Sequence, residues 1–241
     1  MCIRDRFSSA TAEKEIANRT RKKYDAINLS IVILHEGDKI IQYNYIRDRK
    51  LEKRFIKIGL ISISDRATEG IYKDEGIPSL TNWLKKALID KFSLETSLIN
   101  DDIELIKKTL VQFSDEKKCD LIFTTGGTGP SPRDITPEAT MSISNKVMPG
   151  FGEQMRQISL NFVPTAILSR QTAVIRGKTL IVNLPGQPKS IEQTLEGLKN
   201  ENNNTIVPGI FSAIPYCLDL IGAPFIETNE SVVKSFRPKK K

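Results

Sequence analysis

From Phe55 onwards, segments typical of β-strands alternate with segments typical of amphipathic helices, and this alternation constrains the fold more than any other feature. The segments FIKIGLISIS, FSLETSLI and DLIFTTGG have the length and apolar composition of buried strands. Between them lie PSLTNWLKKALID and NDDIELIKKTLVQFSDEKK, in which apolar residues recur at helical spacing. Such an order requires right-handed crossovers and parallel strands. The sequence therefore predicts a three-layer α/β fold, a mainly parallel sheet with helices on both faces.

The second half of this region continues the pattern with one reversal. TAVIRGKTLIVNLPG, residues 172–186, contains two apolar strands joined at Arg176–Gly177–Lys178, which predicts one antiparallel strand pair in the sheet. Thr136 is predicted as an N-cap with Pro137 as the first helical residue. Helices are predicted over four segments: residues 136–147, 150–162, 189–201 and 209–222.

Composition divides the chain near residue 54. Residues 1–54 hold 13 Lys and Arg against 8 Asp and Glu, whereas the remainder holds 23 against 21. We interpret residues 1–54 as an N-terminal extension of uncertain structure and residues 55–241 as the domain that carries the chemistry. Within the extension, residues 30–34 and 39–46 flank a turn and are expected to form a hairpin.

The remaining totals exclude several classes of protein. Because the body of the chain is nearly neutral, we expect neither a nucleic-acid partner nor a membrane surface. No apolar run approaches the ~20 residues that span a bilayer, and the N-terminus has no apolar signal sequence, so a cytoplasmic protein is expected. The three cysteines form no CxxC pair, which argues against a disulfide framework or a zinc site.

The motif TTGGTG, residues 124–129, follows a predicted buried strand, at the edge where parallel sheets bind ligands. The glycines Gly126, Gly127 and Gly129 allow positive φ and close approach of a ligand to backbone N–H groups, which can form an anion-binding nest. The hydroxyls of Thr124, Thr125 and Thr128 could donate to phosphate oxygens. No Lys-Ser or Lys-Thr follows, so the motif is not a P-loop. The alternative is a tight strand-to-helix turn; we favour a phosphate-binding loop.

Two aspartates follow predicted strand ends and are candidates for a metal site. Asp134 precedes a helix, where a carboxylate also has a structural use worth ~0.3–1 kcal/mol. Asp101 lies in LINDD, where it or Asn100 could merely cap the next helix, and Asp102 competes for either role. Two carboxylates beside phosphates repel one another unless Mg²⁺ joins them. Asp101 and Asp134 are therefore predicted as catalytic residues and Mg²⁺ ligands.

Other candidates come from the loops at the same edge. Ser64, Asp65 and Arg66 end the first strand. Like Ser169 and Arg170 in ILSRQ, they could meet an anionic group. In NLPGQP a further rigid loop is predicted to form a wall of the site, through Pro185, Gly186 and Pro188.

The absence of histidine from the main region narrows the chemistry. The only histidine of the chain is His35, which lies in the extension. Residues 55–241 therefore contain neither a Ser-His-Asp nor a Cys-His system. Metal-assisted nucleotidyl transfer needs no histidine, because positioning and charge stabilisation supply most of the catalysis.

Taken together, these motifs resemble the molybdopterin adenylyltransferase (MogA-like) family of molybdenum cofactor biosynthesis. The similar segments include GLISISDRATEGIYKDEGIP, TTGGTGPSPRDITPEAT, MPGFGEQMRQISL, NLPGQPKSI and PYCLDL, and run from about Phe55 to Pro238. The resemblance implies adenylylation of the terminal phosphate of molybdopterin by Mg-ATP, with release of pyrophosphate. It also implies a homotrimer and a downstream molybdenum-insertion enzyme as a partner.

By the same resemblance, the two essential aspartates of the family fall on Asp101 and Asp134. The glycine-rich loop falls on Thr125 to Gly129, and the serine of an LSR motif falls on Ser169. Residues 1–54 depart from the family pattern. Two alternatives stay open at this point: a nucleotide pyrophosphatase on the same fold, and a module that carries molybdopterin without catalysis.

Overall fold

The structure is a computed structural model that describes residues 31–36, 39–44, 55–202 and 204–238. The chain divides into two units, Met1–Glu52 and Lys53–Lys241. In the first unit, the described residues form an antiparallel hairpin of β1 (Ile31–Glu36) and β2 (Lys39–Asn44). The predicted hairpin is thus confirmed, and the other residues of the extension lie outside the described ranges. A domain boundary at residue 54 stays a prediction.

A six-stranded sheet organises the second unit. Four parallel strands make up most of it: β3 (Ile56–Ile63), β4 (Phe92–Ile99), β5 (Leu121–Thr125) and β8 (Thr179–Leu184). Next to β8 come β7 (Ala173–Arg176) and β6 (Lys146–Val147), each antiparallel to its neighbour. The strand order is β4-β3-β5-β8-β7-β6, which confirms the mainly parallel sheet and the β7–β8 reversal. The short strand β6 was not predicted.

Helices cover both faces of this sheet. The α-helices are α1 (Asp65–Thr68), α2 (Gly76–Ala87), α3 (Ile103–Val111), α4 (Thr136–Ser142), α5 (Pro149–Ser159), α6 (Pro188–Glu196) and α7 (Ile214–Ile221). A π-helical turn extends α3 over Gln112–Glu116, and 3₁₀ turns span Pro164–Leu168 and Ile210–Ser212. Strands β9 (Gly197–Lys199) and β10 (Thr205–Pro208) form a separate antiparallel pair. No helix within the described ranges is long and apolar enough to cross a membrane.

Two apolar cores lie on opposite faces of the sheet. Successive side chains of a strand point to opposite faces, so β3 contributes Ile58 and Leu60 to one core and Ile61 and Ile63 to the other. The first core receives α2, α5, α6 and α7, and the second receives α3 and α4. Gly59 lets Phe113 pack onto the strand, because a Cβ at this position would lie 2.7 Å from Phe113 Cδ1.

Several predicted helix ends are wrong. The N-cap of α3 is Asp102, whose carboxylate accepts from Leu105 N at 2.8 Å, and neither Asn100 nor Asp101 has this role. Thr136 is the first residue of α4 rather than its N-cap. The helix predicted over residues 189–201 ends at Glu196, because Gly197 has a φ of +87° and begins β9.

Two further predicted helices differ from the structure because short elements replace part of them. The helix predicted over residues 136–147 ends at Ser142, and Lys146 and Val147 instead pair with β7. The last predicted helix is divided into a 3₁₀ turn and α7. These boundaries depend on tertiary pairing, which local periodicity does not encode.

Candidate functional site

The ends of four parallel strands define a cleft at one edge of the sheet. The strands β4, β3, β5 and β8 lie side by side and parallel, so their carboxyl ends share this edge. The chain leaves β3 for β4 on one side and then crosses to β5 on the other side of β3. The connection therefore reverses between β3 and β5, which is where open α/β sheets bind ligands.

The glycine loop follows β5 and occupies the centre of this edge. Gly126 and Gly127 have φ of +95° and +64°, a region that only glycine enters at little cost. A Cβ on Gly126 would lie 2.2 Å from the carbonyl oxygen of Ile63, and one on Gly127 would lie 2.3 Å from Thr136 Oγ1. Thr136 binds the loop twice, since its hydroxyl donates to Gly126 O at 3.0 Å and its N–H donates to Gly127 O at 3.1 Å. The loop is thus fixed between β3 and the start of α4.

Asp101 borders this loop, and the next residue, Asp102, caps α3. A Cβ on Gly127 would lie 3.2 Å from Asp101 Oδ1. The other carboxylate oxygen accepts from Asp65 N at 2.9 Å, and Asp101 N donates to Asp65 Oδ1 at 3.0 Å. This reciprocal pair connects the end of β4 to the end of β3.

Asp134 borders the same loop further along. A Cβ on Gly129 would lie 2.9 Å from Asp134 Oδ2, which accepts from Ser131 N at 2.9 Å. Burial raises the pKa of Asp101, and the negative charges of Asp65 and Asp134 raise it further. The structure therefore brings together two acids that are far apart in the sequence, and their catalytic role stays a prediction.

Ser64 and Asp65 form the β3 side of the cleft. Ser64 caps α1 by accepting from Ala67 N at 3.2 Å, and its hydroxyl shares a hydrogen bond of 2.7 Å with the hydroxyl of Tyr72. Asp65 forms an ion pair with Arg133, and the Arg133 guanidinium lowers the pKa of the Asp65 carboxyl. Both predicted residues lie at the expected strand end.

The threonines of the loop are more buried than the sequence suggested. Thr124 is fully buried, so the expectation that its hydroxyl donates to a phosphate is wrong. This hydroxyl accepts from Asn183 Nδ2 at 2.9 Å. Thr125 and Thr128 are also buried. Asn183 donates to Thr140 Oγ1 as well, also at 2.9 Å. These contacts make a polar layer beneath the loop, in which the part of Asn183 was not predicted.

Arg170, which follows Ser169, stabilises the glycine loop through hydrogen bonds to its carbonyl oxygens. Its backbone N–H donates to Thr128 O at 2.9 Å and its Nε donates to Gly129 O at 2.8 Å. The remaining guanidinium nitrogens donate to Asp134 O and to the carboxylate of Glu138. In this structure the guanidinium is therefore engaged by protein acceptors. The predicted contact of Ser169 or Arg170 with an anion is not tested by this arrangement.

The loop after β8 lies next to the glycine loop, and its role as a wall of the site stays a prediction. Pro185 and Pro188 flank Gly186, and a Cβ on Gly186 would lie 3.6 Å from Gly126 Cα. The two glycine-containing loops are thus in near contact.

Asp74 is a carboxylate near this edge that was not among the predicted site residues. Asp74 Oδ1 accepts from Ser62 Oγ at 2.6 Å, and its carboxylate also accepts from the N–H groups of Gly76 and Ile77, both at 3.2 Å. Its position before the helical segment IPSL was the available signal. Because these protein donors occupy it, we interpret Asp74 as structural.

A cavity of about 900 Å³ lies elsewhere in this unit and includes none of these site residues. It is bounded by the first turns of α5, by Glu196 and Lys199, by the start of α7 and by residues 230–236. This cavity and the convergence of acidic side chains are therefore separate features. The chemistry of the acids, rather than the volume, identifies the candidate site.

Comparison with known proteins gives a family match and two similar proteins of the same name. Residues 59–203 match the model of a family described as a probable molybdopterin binding domain. A protein of Haemophilus influenzae named molybdopterin adenylyltransferase is 59% identical over 184 residues, which cover 76% of this chain and 93% of that protein. A protein of the same name from Escherichia coli K12 is 58% identical over 184 residues, covering 76% and 94%.

Solved structures of molybdopterin biosynthesis proteins are also similar to this chain, at lower sequence identity. The molybdopterin biosynthesis enzyme MoaB of Thermus thermophilus is 35% identical, with a TM-score of 0.61, over 71% of this chain and 99% of that one. The molybdopterin biosynthesis Mog protein of Mycobacterium ulcerans is also 35% identical, with a TM-score of 0.58, over 69% and 99%.

Proposed function

Because this chain belongs to the molybdopterin adenylyltransferase family, we propose that adenylyl transfer to molybdopterin takes place in the cleft at the glycine loop. The chain is a nucleotidyltransferase, and it adenylylates molybdopterin in the biosynthesis of the molybdenum cofactor. We take ATP as the adenylyl donor, so pyrophosphate is the other product. One observation carries the assignment of the site: Asp101 and Asp134 border the same loop, at Gly127 and Gly129.

The donor set of the cleft fits Mg²⁺. Asp101 and Asp134 offer hard carboxylate oxygens, and Mg²⁺ is usually held by one or two carboxylates together with substrate phosphates. Among the described residues, no group of three or more His, Cys, Asp and Glu side chains is arranged to hold a metal. Two carboxylates completed by a nucleotide are consistent with that finding. When bound, Mg²⁺ would neutralise charge on the triphosphate and on the departing pyrophosphate.

The protein's contribution is positioning. Successive backbone N–H groups of a glycine loop with positive φ can form an anion-binding nest, and a phosphate suits such a nest. The contacts of Arg170 and Thr136 hold the loop in shape before substrate arrives. A phosphate oxygen of molybdopterin attacks the α-phosphorus of ATP, and the bond to pyrophosphate breaks. No general base is required, because a phosphate monoester is already an anion at neutral pH.

The direct test is incubation of the protein with molybdopterin and Mg-ATP. We expect adenylylated pterin and pyrophosphate in equal amounts, and loss of both when EDTA removes Mg²⁺. Binding of molybdopterin without ATP turnover would instead support a carrier module. Hydrolysis of the nucleotide without adenylylated pterin would support a pyrophosphatase.

We also assign the activity to residues 55–241 alone. Each candidate residue lies within the unit Lys53–Lys241. A chain that begins at Phe55 is expected to fold and to retain adenylyl transfer, as measured by circular dichroism and pyrophosphate release. Loss of folding on truncation would contradict the assignment of residues 1–54 as dispensable.

Finally, we propose a cytoplasmic homotrimer that hands its product to a molybdenum-insertion enzyme. A cytoplasmic location would give the enzyme access to ATP. The trimer is supported by a run of exposed apolar residues after α5: Leu160, Phe162, Val163, Ile167 and Leu168. Apolar residues concentrated in one short segment are typical of an interface.

A further inference from the structure

Arg133 links two segments that border the cleft, the one before α4 and the one after β3. The residue lies in the loop between Gly129 and Asp134, and its guanidinium Nη2 donates to the carboxylate of Asp65, 68 residues earlier in the chain. Its side chain is 67% exposed, so solvent reaches most of it. Arg133 therefore connects the glycine-loop side of the site to the end of β3 through one side chain.

Its contacts differ from those of Arg170, the other arginine beside Asp134. The Arg170 guanidinium donates to two backbone carbonyls and to Glu138. Within residues 55–202 and 204–238, the Arg133 guanidinium donates to Asp65 alone. Arg170 therefore uses its guanidinium to stabilise the loop. Arg133 forms one such contact within the described residues, so its other N–H groups can bind a ligand.

The charges around Arg133 also favour a change of partner. The negative charges of Asp65 and Asp134 and the positive charge of Arg133 all act on Asp101. An arriving triphosphate adds further negative charge. A guanidinium binds phosphate through two parallel hydrogen bonds and retains its charge at any physiological pH.

We propose that Arg133 is a further catalytic residue, which leaves Asp65 and binds a phosphate group of the nucleotide. Asp65 can release it because Asp65 Oδ1 still accepts from Asp101 N at 3.0 Å. The exposed Asp65–Arg133 pair holds the guanidinium over the cleft before the nucleotide arrives. This inference rests on the proposed function for the identity of the ligand, an adenine nucleotide.

The test uses the full chain and an ATP analogue with a methylene bridge between the α- and β-phosphates, so that binding is measured without turnover. Arg133→Ala is expected to weaken calorimetric binding of the Mg-bound analogue about tenfold or more, because hydrogen bonds to charged groups contribute about 1.5–3 kcal/mol. Arg133→Lys should recover part of the loss. Arg176→Ala is the matched control: Arg176 also forms an ion pair with an aspartate, Asp115, but it lies where β7 turns into β8, at the opposite edge of the sheet from the strand ends that carry the site, so its loss should leave affinity unchanged.

A double-mutant cycle separates exchange of partners from a merely structural ion pair. If Arg133 moves, Asp65→Asn frees it and tightens analogue binding about two- to fivefold, as expected for loss of an exposed pair. In the Arg133→Ala background the same substitution should tighten binding less, because only the loss of the negative charge of Asp65 then acts on the nucleotide. If Asp65→Asn instead weakens binding as much as Arg133→Ala does, the pair is structural and the inference is wrong.

Adenylyl transfer measured in parallel distinguishes the two proposals. Analogue binding that depends on Arg133, without adenylyl transfer by the wild-type chain, would support the role of Arg133 and contradict the proposed function. Full transfer activity and unchanged affinity in Arg133→Ala would contradict the role of Arg133 alone. A wild-type chain that does not bind the analogue would contradict both.

Discussion

Asp101 and Asp102 are adjacent acids with different surroundings, so substitution of each should have a different effect on activity. Asp101 borders the glycine loop, whereas Asp102 caps α3. Asp101→Asn removes a charge beside the phosphates and is expected to lower the rate of AMP transfer at least ~100-fold, the usual cost of losing a preorganised electrostatic group. Binding of molybdopterin should be largely retained. Pyrophosphate release and pterin binding are the two measurements.

Asp102→Asn is the control, because asparagine caps a helix about as well as aspartate. Its activity and its free energy of unfolding should both stay at the wild-type level. Equal loss of activity in the two variants would mean that neither acid acts specifically on the nucleotide.

Gly127 gives a second prediction at the level of a single residue. Its φ of +64° and the 2.3 Å that would separate a Cβ from Thr136 Oγ1 leave no room for a side chain. Gly127→Ala is expected to destabilise the fold by about 1–2 kcal/mol or more, from backbone strain alone, and to reduce AMP transfer. Urea unfolding and the rate of pyrophosphate release measure the two effects.

Gly150 is the matched position for that experiment. It lies in the first turn of α5, and a Cβ there would have no heavy atom within 4 Å. Gly150→Ala should leave both stability and activity unchanged, or raise stability by about 0.5–1 kcal/mol. A Gly127→Ala variant as stable and active as Gly150→Ala would remove the argument for a constrained loop.

Among the elements, the edge strand β4 carries a charge cluster in addition to its pairing with β3. Glu95 on β4 forms ion pairs of 3.0 Å with Lys57 on β3 and with Lys117 after the π-helical turn. Lys57 and Lys117 lower the pKa of Glu95. Its stabilisation is therefore present above the unfolded pKa of about 4.3 and is lost as the pH falls through the lower folded pKa.

Glu95→Gln is accordingly expected to lower the free energy of unfolding at pH 7 by about 1 kcal/mol or less. The difference from wild type should shrink as the pH falls below about 4. Glu104→Gln, in an exposed helical pair with Lys107, should change stability by only about 0.2–0.5 kcal/mol. A pH-independent difference for Glu95→Gln would show that packing rather than charge explains its effect.

The elements also show what could be predicted from the sequence and what could not. Long apolar segments predicted β3, β5 and β8 because each is buried on both faces. The strands β6, β9 and β10 have two to four residues and carry no measurable periodicity, so only tertiary pairing defines them. The cap of α3 could not be assigned among Asn100, Asp101 and Asp102 because the three have about the same intrinsic preference for this position.

In the candidate site, too, local sequence predicted some features, whereas others depend on tertiary contacts. Strand ends and glycines predicted where the acids lie, since the edge of a parallel sheet collects them. The sequence did not predict that Arg133 would meet Asp65 or that Arg170 would be used by the loop itself. Both contacts join residues more than 30 positions apart, and they depend on the order of strands, which apolar patterning alone leaves open.

At the scale of the whole molecule, the exposed apolar segment Leu160–Leu168 determines the assembly that we expect. A cyclic trimer needs a head-to-tail interface, in which one surface of a subunit meets a different surface of the next. This segment is well suited to supply one of the two surfaces, because Ile167 is 70% exposed and Phe162 is 47% exposed. It also leads directly into Ser169 and Arg170, so assembly and the shape of the glycine loop are adjacent in the chain.

We therefore expect light scattering on the full chain to give a mass about three times 27.1 kDa. Phe162→Ser combined with Ile167→Ser should shift the protein to the mass of a single chain, because the apolar contact area is lost. Leu220→Ser is the control: Leu220 on α7 is equally exposed, at 68%, but lies outside this segment, so the trimer should persist. A wild-type monomer would contradict the trimer, and a trimer that survives the double substitution would place the interface on another surface.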